Sequence, residues 1–256
     1  MKLINEKAIY VLWIREVKKF VRVKSRIIGT ISMPLLFLVF LGFGFSKMTL
    51  PGVPNNINYI KFLVPGIMGM SILFSSIFSG ITVISDRQFG FLKEIMVAPV
   101  SRVSIALGRI AGGATIALIQ GTMILLITLL MGFEIISVWA FILSLIFMIL
   151  ISMTFISFGL IFASRMKDVH GFQLIVNFVV FPVFFLSGAL YPLNNLPAVI
   201  RYLSFIDPLT YGVDGMRAAF TGFSVFPVYA DLIVMVIISS AMVLLSAYLF
   251  EKSKIL

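Results

Sequence analysis

The sequence predicts an all-α integral membrane protein with six transmembrane helices, and three observations support this prediction. Of the 256 residues, 61% are hydrophobic and only 12% are charged, whereas a soluble domain carries about 25% charged residues. The mean hydropathy of the chain is +1.14. Six apolar stretches are each long enough to cross the hydrocarbon core of a bilayer as a helix, which takes about 20 residues.

The N-terminal segment, residues 1–26, contains eight of the 20 Lys and Arg residues. Asn5 is suited to cap a helix that starts after it, and Trp13 is suited to the headgroup level of a bilayer. On that helix five basic side chains form one arc and large apolar side chains form the opposite one: Arg15, Lys18, Lys19, Arg22 and Arg26 against Ile9, Tyr10, Trp13, Ile14, Val17, Phe20 and Val21. The pattern predicts an amphipathic helix in the membrane interface; the alternative is a cytosolic helix packed on another surface.

The six predicted spans are residues 27–45, 62–84, 110–133, 138–163, 172–191 and 232–250. Pro34 and Pro182 lie inside spans, where we expect them to kink the helix, and glycines such as Gly112 favour close helix contacts. As drawn, the spans contain no Asp, Glu, Lys, Arg or His, and Asp231 stands at the edge of the last one. Carriers coupled to ion gradients and intramembrane acid–base enzymes usually depend on such groups, so the pattern argues against both classes.

The orientation follows from the basic residues outside the spans. Sixteen Lys and Arg lie on the side that holds both termini, and four lie on the other side. Because basic loops stay in the cytoplasm, we expect both termini there, and the net charge of +10 is explained by loops that touch anionic lipid rather than by nucleic acid.

The cytoplasmic segment 85–109 is expected to form a short helix running to residue 97, capped by Ser85 or Asp86 and stopped by Pro99. Arg87, Phe91 and Glu94 would lie near one face of it. An apolar, charged helix of this kind fits a groove on a protein partner. The alternative is a helix packed only under its own bundle.

The segment 192–226, before the last span, is too interrupted by Pro192, Pro197 and Pro208 to cross a membrane and too apolar for a solvated loop. We expect two short re-entrant helices broken near Pro197 and Pro208, with Asp207 capping the second. Asp214 and Arg217 are three residues apart and can pair along that helix.

Several kinds of site are absent from the sequence. It contains no GxxxxGK[ST] phosphate loop, no HExxH motif and no cysteine, and its one histidine, His170, is expected to lie in a short solvent-exposed loop. We therefore expect no catalytic residue, no metal and no cofactor bound by this chain. If it performs work, the energy has to come from another chain.

With this layout the chain resembles a permease subunit of an ABC-2 type exporter over essentially its whole length. The cytoplasmic part of the resemblance rests on Asp86–Arg87, Glu94, Ala98, Pro99 and Ser101–Arg102. The more specific outer part consists of F-L-S-G at 185–188, Pro192, Leu196–Pro197, Arg201, D-P-L-T-Y at 207–211, Asp214 and Arg217. Within the family the chain is most similar to permeases of the daunorubicin-resistance and nodulation-factor export types, although many relatives have Asn in place of Asp207.

The resemblance implies residues for two roles. The residues for coupling to the ATPase would be Asp86, Arg87, Phe91, Glu94, Ala98, Pro99 and Arg102. The residues of an outer re-entrant gate would be Gly188, Pro192, Pro197, Pro208, Tyr211, Asp214 and Arg217. It also implies a homodimer in the cell membrane, served by two copies of an ABC ATPase that bind ATP and Mg²⁺, and exporting a drug, a lipid or a lipid-linked saccharide.

Two other classes compete with this interpretation. The first is a secondary carrier or channel, against which the charge-free spans count. The second is an intramembrane enzyme, for which Asp207 and Asp214 would be the best acid pair. Helix capping and ion pairing with Arg217 explain these two aspartates better.

Overall fold

The computed structural model describes residues 4–91, 95, 100–166 and 168–252, with Arg26 described by its backbone alone. These residues form helices and contain no strand. The helices are α1 (Glu6–Arg22), α2 (Lys24–Gly44), α3 (Tyr59–Gln88), α4 (Arg102–Leu130), α5 (Val138–Arg165), α6 (Val169–Ile175), α7 (Phe181–Leu186), α8 (Ala198–Ser204), α9 (Pro208–Thr221) and α10 (Val228–Lys252), with a π-helical turn at Val176–Val180 and a 3₁₀ turn at Leu193–Asn195.

Six helices in the described part of the chain are long and apolar enough to cross a membrane, which confirms the predicted number. They are Ile27–Gly44, Tyr59–Gln88, Arg102–Leu130, Val138–Arg165, Val169–Leu186 and Val228–Lys252. The fold is therefore that of an all-α membrane protein. The amphipathic and re-entrant placements of the remaining helices relative to a bilayer stay predictions.

Side-chain caps determine where several of these helices begin. The Asn5 side chain accepts a hydrogen bond from the backbone N–H of Ala8 at 3.3 Å, as predicted for α1. Ser101 accepts from the N–H of Ser104 at 3.2 Å, so α4 begins at Arg102 and not near residue 110. A cap satisfies a backbone donor that the first turn of a helix leaves without a partner, which is why α4 extends further than its apolar residues suggested.

The fifth span ends at Leu186 and not at residue 191. Gly188 has a φ of +69°, a left-handed conformation that ends the helix and that residues with a Cβ adopt at a cost. Pro182 is the second residue after the π-helical turn Val176–Val180. A proline ring clashes with the carbonyl four residues earlier, and the irregularity expected at Pro182 takes the form of this wider turn.

The helix α3 is the centre of the bundle and packs against α2, α4, α5 and α9. The helix α1 lies along α4, where glycines permit close contact, as predicted for Gly112. A Cβ on Gly112 would lie 2.7 Å from Cβ of Glu16, and a Cβ on Gly108 would lie 2.8 Å from Cβ of Leu12. Both distances are shorter than real Cβ contacts, so the α1–α4 contact depends on these glycines.

Only part of the apolar arc predicted for α1 packs against α4, and the rest of that arc is exposed. Phe20 is buried, and Trp13 donates its Nε1–H to Oγ1 of Thr115 at 2.9 Å. Tyr10 and Val21 remain exposed. The helix therefore has three faces: one packed on protein, one apolar and exposed, and one basic.

Candidate functional site

The end of the bundle that is predicted to face the cytoplasm contains a buried ion cluster centred on Asp86. We call Arg15, Glu16, Lys19, Asp86 and Arg109 the Asp86 cluster. Asp86 lies in the last turn of α3, so the prediction that Ser85 or Asp86 caps a separate cytoplasmic helix is wrong. The helix α3 continues past residue 84, where the second span was predicted to end, and reaches Gln88.

Three basic side chains donate to the Asp86 carboxylate. Nη2 of Arg109 lies 2.8 Å from Oδ2, and the two terminal nitrogens of Arg15 lie 3.1 Å from Oδ1 and Oδ2, a bidentate geometry. Nζ of Lys19 lies 3.4 Å from Oδ1. Asp86 is 5% exposed and Arg109 4%. A charge-assisted bidentate pair is among the stronger hydrogen-bonded contacts in proteins, and this one joins α1, α3 and α4 at a single carboxylate.

Glu16 completes the cluster from α1. Its Oε1 lies 3.0 Å from Nη1 of Arg15 and 3.9 Å from Nη1 of Arg109. The cluster thus sets three cations against two carboxylates and carries a surplus positive charge. The helices α3 and α4 extend past the spans as drawn, and the added turns contain the charged residues Asp86, Arg87, Arg102 and Arg109.

The remaining residues expected to couple to an ATPase contact different parts of the protein. The Arg15 guanidinium stacks 3.9 Å from the centre of the Phe91 ring. Arg87 donates to the carbonyl oxygens of Met166 at 2.7 Å and Ser164 at 2.8 Å, at the carboxyl end of α5. Arg102 donates to the carbonyl oxygen of Glu251 at 2.9 Å. Glu94, Ala98 and Pro99 lie outside the described residues.

At the opposite end of the bundle, Arg217 is the centre of a second buried group. It donates to the carbonyl oxygen of Gly188 at 2.8 Å and to that of Phe62 at 3.4 Å, and its guanidinium lies 3.8 Å from the centre of the Phe62 ring. Asp214 Oδ1 lies 3.8 Å from its Nη1. Arg217 therefore ties α9 to the first turn of α3 and to the turn after α7.

Asp214 holds the segment that follows α9. Its Oδ2 accepts the backbone N–H groups of Val225 at 2.8 Å and Phe226 at 2.9 Å. Asp214 and Arg217 are each 2% exposed. Burial raises the pKa of the Asp214 carboxyl, which Arg217 partly offsets, and burial lowers the pKa of Arg217. The predicted pair is thus buried in the protein and not solvated at its surface.

The predicted breaks in this segment are present. The helix α8 begins directly after Pro197, and α9 begins at Pro208. Asp207 caps α9, with Oδ1 accepting from the N–H of Leu209 at 2.9 Å, and burial raises the pKa of its carboxyl. Tyr211 donates from its hydroxyl to the carbonyl oxygen of Phe205 at 2.7 Å. Pro192 precedes the 3₁₀ turn at Leu193–Asn195.

Sequence reasoning missed the burial of Asp231. It lies in the first turn of α10, is 0% exposed, and both of its side-chain oxygens lack a hydrogen-bond partner among the described residues. A single carboxylate near one end of an apolar helix was the available signal. The sequence placed it only at the edge of the last span.

A cavity of about 430 Å³ opens between α2, α3 and the helices from Val169 to Leu186. Most of its lining is apolar, with polar side chains from Thr30, Ser75 and Gln173. The other lining residues are Gly29, Met33, Pro34, Met70, Phe74, Phe78, Val176 and Phe181. Large apolar side chains with a few polar groups are typical of sites that take amphipathic molecules.

Comparison with known proteins identifies the family to which this chain belongs. Residues 7–221 match the ABC-2 type transporter family. The chain is a member of the ABC-2 type transporter family. The resemblance found in its motifs is therefore confirmed, and the match includes both the Asp86 cluster and the Arg217 group.

Individual ABC-2 relatives are transport permeases. The inner membrane transport permease YadH of Escherichia coli K12 is 27% identical over 247 residues, 95% of this chain and 94% of the relative. A putative transport permease, ycf38, of Cyanophora paradoxa is 32% identical over 203 residues, 77% of this chain and 70% of the relative. Nodulation protein J of Rhizobium meliloti is 29% identical over 201 residues, 77% of this chain and 75% of the relative.

Proposed function

We propose that this chain is the membrane-spanning subunit of an ATP-driven exporter, working as a homodimer with two copies of a separate ABC ATPase. The observation that carries the proposal is the family match over residues 7–221, since ABC-2 permeases generally work with an ATPase. The sequence contains no phosphate-binding loop of its own. ATP and Mg²⁺ would therefore bind to the partner chain, and this subunit would convert the movement of that chain into transport.

The contacts at the cytoplasmic end support a route for that conversion. Phe91 lies within the segment expected to enter the ATPase, and it stacks on Arg15, which in turn binds Asp86. A displacement of the segment would move Arg15, and through the Asp86 cluster it would reach α1, α3 and α4 together. Packed side chains and ion pairs of this kind transmit displacement between rigid helices.

The apolar cavity supports an amphipathic substrate: a drug, a lipid or a lipid-linked saccharide. It opens beside a surface of α2 and of the Val176–Val180 turn that exposes large apolar side chains, among them Phe40 and Phe178. An apolar surface of this kind is suited to lipid or to a second copy of the chain. In a homodimer formed there, the cavity of each copy would lie at the interface and line a path outward.

Co-purification with a candidate ABC ATPase from the same organism tests the proposal. We expect the wild-type permease to retain that ATPase in detergent, and Glu94→Ala to weaken the association and lower transport more than it lowers protein level. Breaking a desolvated charge pair at an interface costs about 2–5 kcal/mol. Glu134→Ala removes an exposed acid near Lys61, at the other end of the bundle, and serves as the matched control. Failure of the wild-type protein to retain any ABC ATPase would contradict the proposal.

A further inference from the structure

The basic face of α1 forms a groove, and two of its basic side chains, Lys18 and Arg22, take no part in the function proposed above. Its volume is about 520 Å³, and four basic side chains line it: Arg15, Lys18, Lys19 and Arg22. Three β-branched apolar side chains complete the lining. All four cations come from less than three turns of one helix, so their charges are concentrated on a small surface.

The four cations fall into two pairs with different partners. Arg15 and Lys19 donate to Asp86 at 3.1 Å and 3.4 Å and belong to the Asp86 cluster. Lys18 and Arg22 are exposed, and in the part of the chain that the structure describes neither has an acidic side chain within 4 Å. The acids behind the groove are already shared among three cations, Arg109 included. The groove therefore keeps an uncompensated positive charge at Lys18 and Arg22.

The neighbouring face of α1 indicates what kind of anion is available. Tyr10 is 58% exposed and Val21 56%, and both belong to an apolar stripe beside the basic face. An exposed apolar stripe next to a basic one is the arrangement by which interfacial helices lie among phospholipid headgroups. At that depth the abundant anions are lipid phosphates.

We propose that this groove binds the phosphate of an anionic phospholipid headgroup, with Lys18 and Arg22 as the direct donors. The guanidinium of Arg22 can donate two parallel hydrogen bonds to phosphate oxygens, and the ammonium of Lys18 adds a second charge one turn away. The apolar lining meets the upper part of the acyl chains. The proposal rests on the interfacial, cytoplasmic placement that the sequence predicts for α1.

Native mass spectrometry of the full-length permease in detergent tests this site. Dioleoyl phosphatidylglycerol is titrated against wild-type protein and against the double variant Lys18→Gln with Arg22→Gln. We expect the double variant to bind this lipid at least about tenfold more weakly, because each basic residue near a headgroup contributes on the order of a factor of five. Binding of dioleoyl phosphatidylcholine should be weak and equal in both proteins.

Lys7→Gln is the matched control, because Lys7 is an exposed cation of the same helix that does not line the groove. It should leave phosphatidylglycerol binding within about twofold of wild type, since charge loss outside the groove acts only at a distance. The single variants Lys18→Gln and Arg22→Gln should each show part of the loss, which provides a readout if the double variant is poorly folded.

Three kinds of result would overturn the proposal. One is binding that does not depend on the groove, seen either as unchanged phosphatidylglycerol binding in the double variant or as an equal loss in Lys7→Gln. Another is displacement of the lipid by glycerol 3-phosphate at equal concentration, which would indicate a site for free phosphate. The third is lost retention of the ATPase with lipid binding intact, which would indicate a protein docking surface. Lipid binding is measured here without ATP or transport, so this result is independent of the test of export.

Discussion

Asp86 illustrates how one buried carboxylate can join three helices. Its two oxygens accept from Arg15 on α1 and Arg109 on α4, while its backbone belongs to α3. Arg109 is 4% exposed, so water cannot replace the hydrogen bond and ion pair that its guanidinium loses if the carboxylate is removed. A buried ion pair contributes little compared with an apolar substitute of the same shape, but removing one partner alone is costly.

We therefore expect Asp86→Asn to destabilise the permease by about 3–5 kcal/mol, the usual cost of leaving a buried charge without its partner. The measurement is thermal unfolding of the purified protein in detergent, followed by fluorescence. Glu6→Gln, an exposed acid in the first turn of α1, is the control and should change the midpoint little. A midpoint for Asp86→Asn equal to wild type would mean that the cluster contributes nothing to holding the helices together.

Arg217 makes more of its contacts to backbone than to its acidic neighbour. Two carbonyl oxygens accept from it at 2.8 Å and 3.4 Å, whereas Asp214 lies at 3.8 Å and holds the amides of Val225 and Phe226. The two side chains are thus close enough to interact electrostatically, and each also binds a different part of the backbone.

We expect Arg217→Ala alone to impair export severely, because two buried carbonyl groups lose a charged donor, each worth about 1.5–3 kcal/mol. Asp214→Ala combined with Arg217→Ala should impair export less than the sum of the single effects, since the double variant leaves no unpaired charge. Arg201→Ala is the control, because Arg201 forms no ion pair in the described chain. A double-mutant cycle on transport rate checks this, and strictly additive effects would show that the pair is not coupled.

Among the helices, the contact between α1 and α4 is the one most sensitive to small changes. Because a Cβ on Gly112 would overlap Cβ of Glu16, any larger residue separates the two helices. Separation would also carry Arg15 and Glu16 away from Arg109, so this contact and the Asp86 cluster support each other.

Gly112→Val should therefore lower the amount of folded permease and its ATPase-dependent transport together, since overpacking a close contact costs about 1–3 kcal/mol. Gly44→Ala is the control because nothing lies within 4 Å of a Cβ placed there. Membrane protein level and transport are measured in parallel. Normal level and transport in Gly112→Val would contradict the close packing of α1 on α4.

Local rules were sufficient to predict the helices and several of their ends. Hydropathy predicted six spans, and Asn5, Pro197 and Asp207–Pro208 marked where α1, α8 and α9 begin, because capping and the steric limits of proline act within a few residues. The errors came where caps or turns outside the apolar stretches extended or shortened a helix. Ser101 lengthened α4, and Gly188 ended the fifth span early.

The contacts within the Asp86 cluster and around Arg217 were not predictable from such local rules. Arg15 meets Asp86 across 71 residues of sequence, and Arg217 meets the carbonyl of Phe62 across 155. Such pairs depend on how the helices pack, and no spacing within one helix encodes them. The sequence identified Asp214 with Arg217 because that pair lies within a single helix, and it left Arg15, Glu16 and Arg109 without a partner.

For the whole molecule, the positive-inside rule predicts that residues 46–61 and 192–226 face outward and that residues 85–109 face the cytoplasm. Because the chain contains no cysteine, single introduced cysteines can be labelled without background. We expect Asn56→Cys to react with an impermeant maleimide from outside intact cells and Lys24→Cys to react only after permeabilisation; both positions are exposed. Labelling of Asn56→Cys only from inside would reverse the assigned orientation.

The most direct test of an ATP-driven permease is ATP hydrolysis by the reconstituted complex in proteoliposomes. The assay compares the complex with the ATPase alone while an anthracycline, a phospholipid and a polyprenyl-linked saccharide are added in turn. We predict that at least one of these classes stimulates hydrolysis in the complex, that none does so for the ATPase alone, and that an ion gradient without ATP drives no flux. Flux driven by an ion gradient alone, with hydrolysis unaffected by all three classes, would contradict the account and favour a secondary carrier.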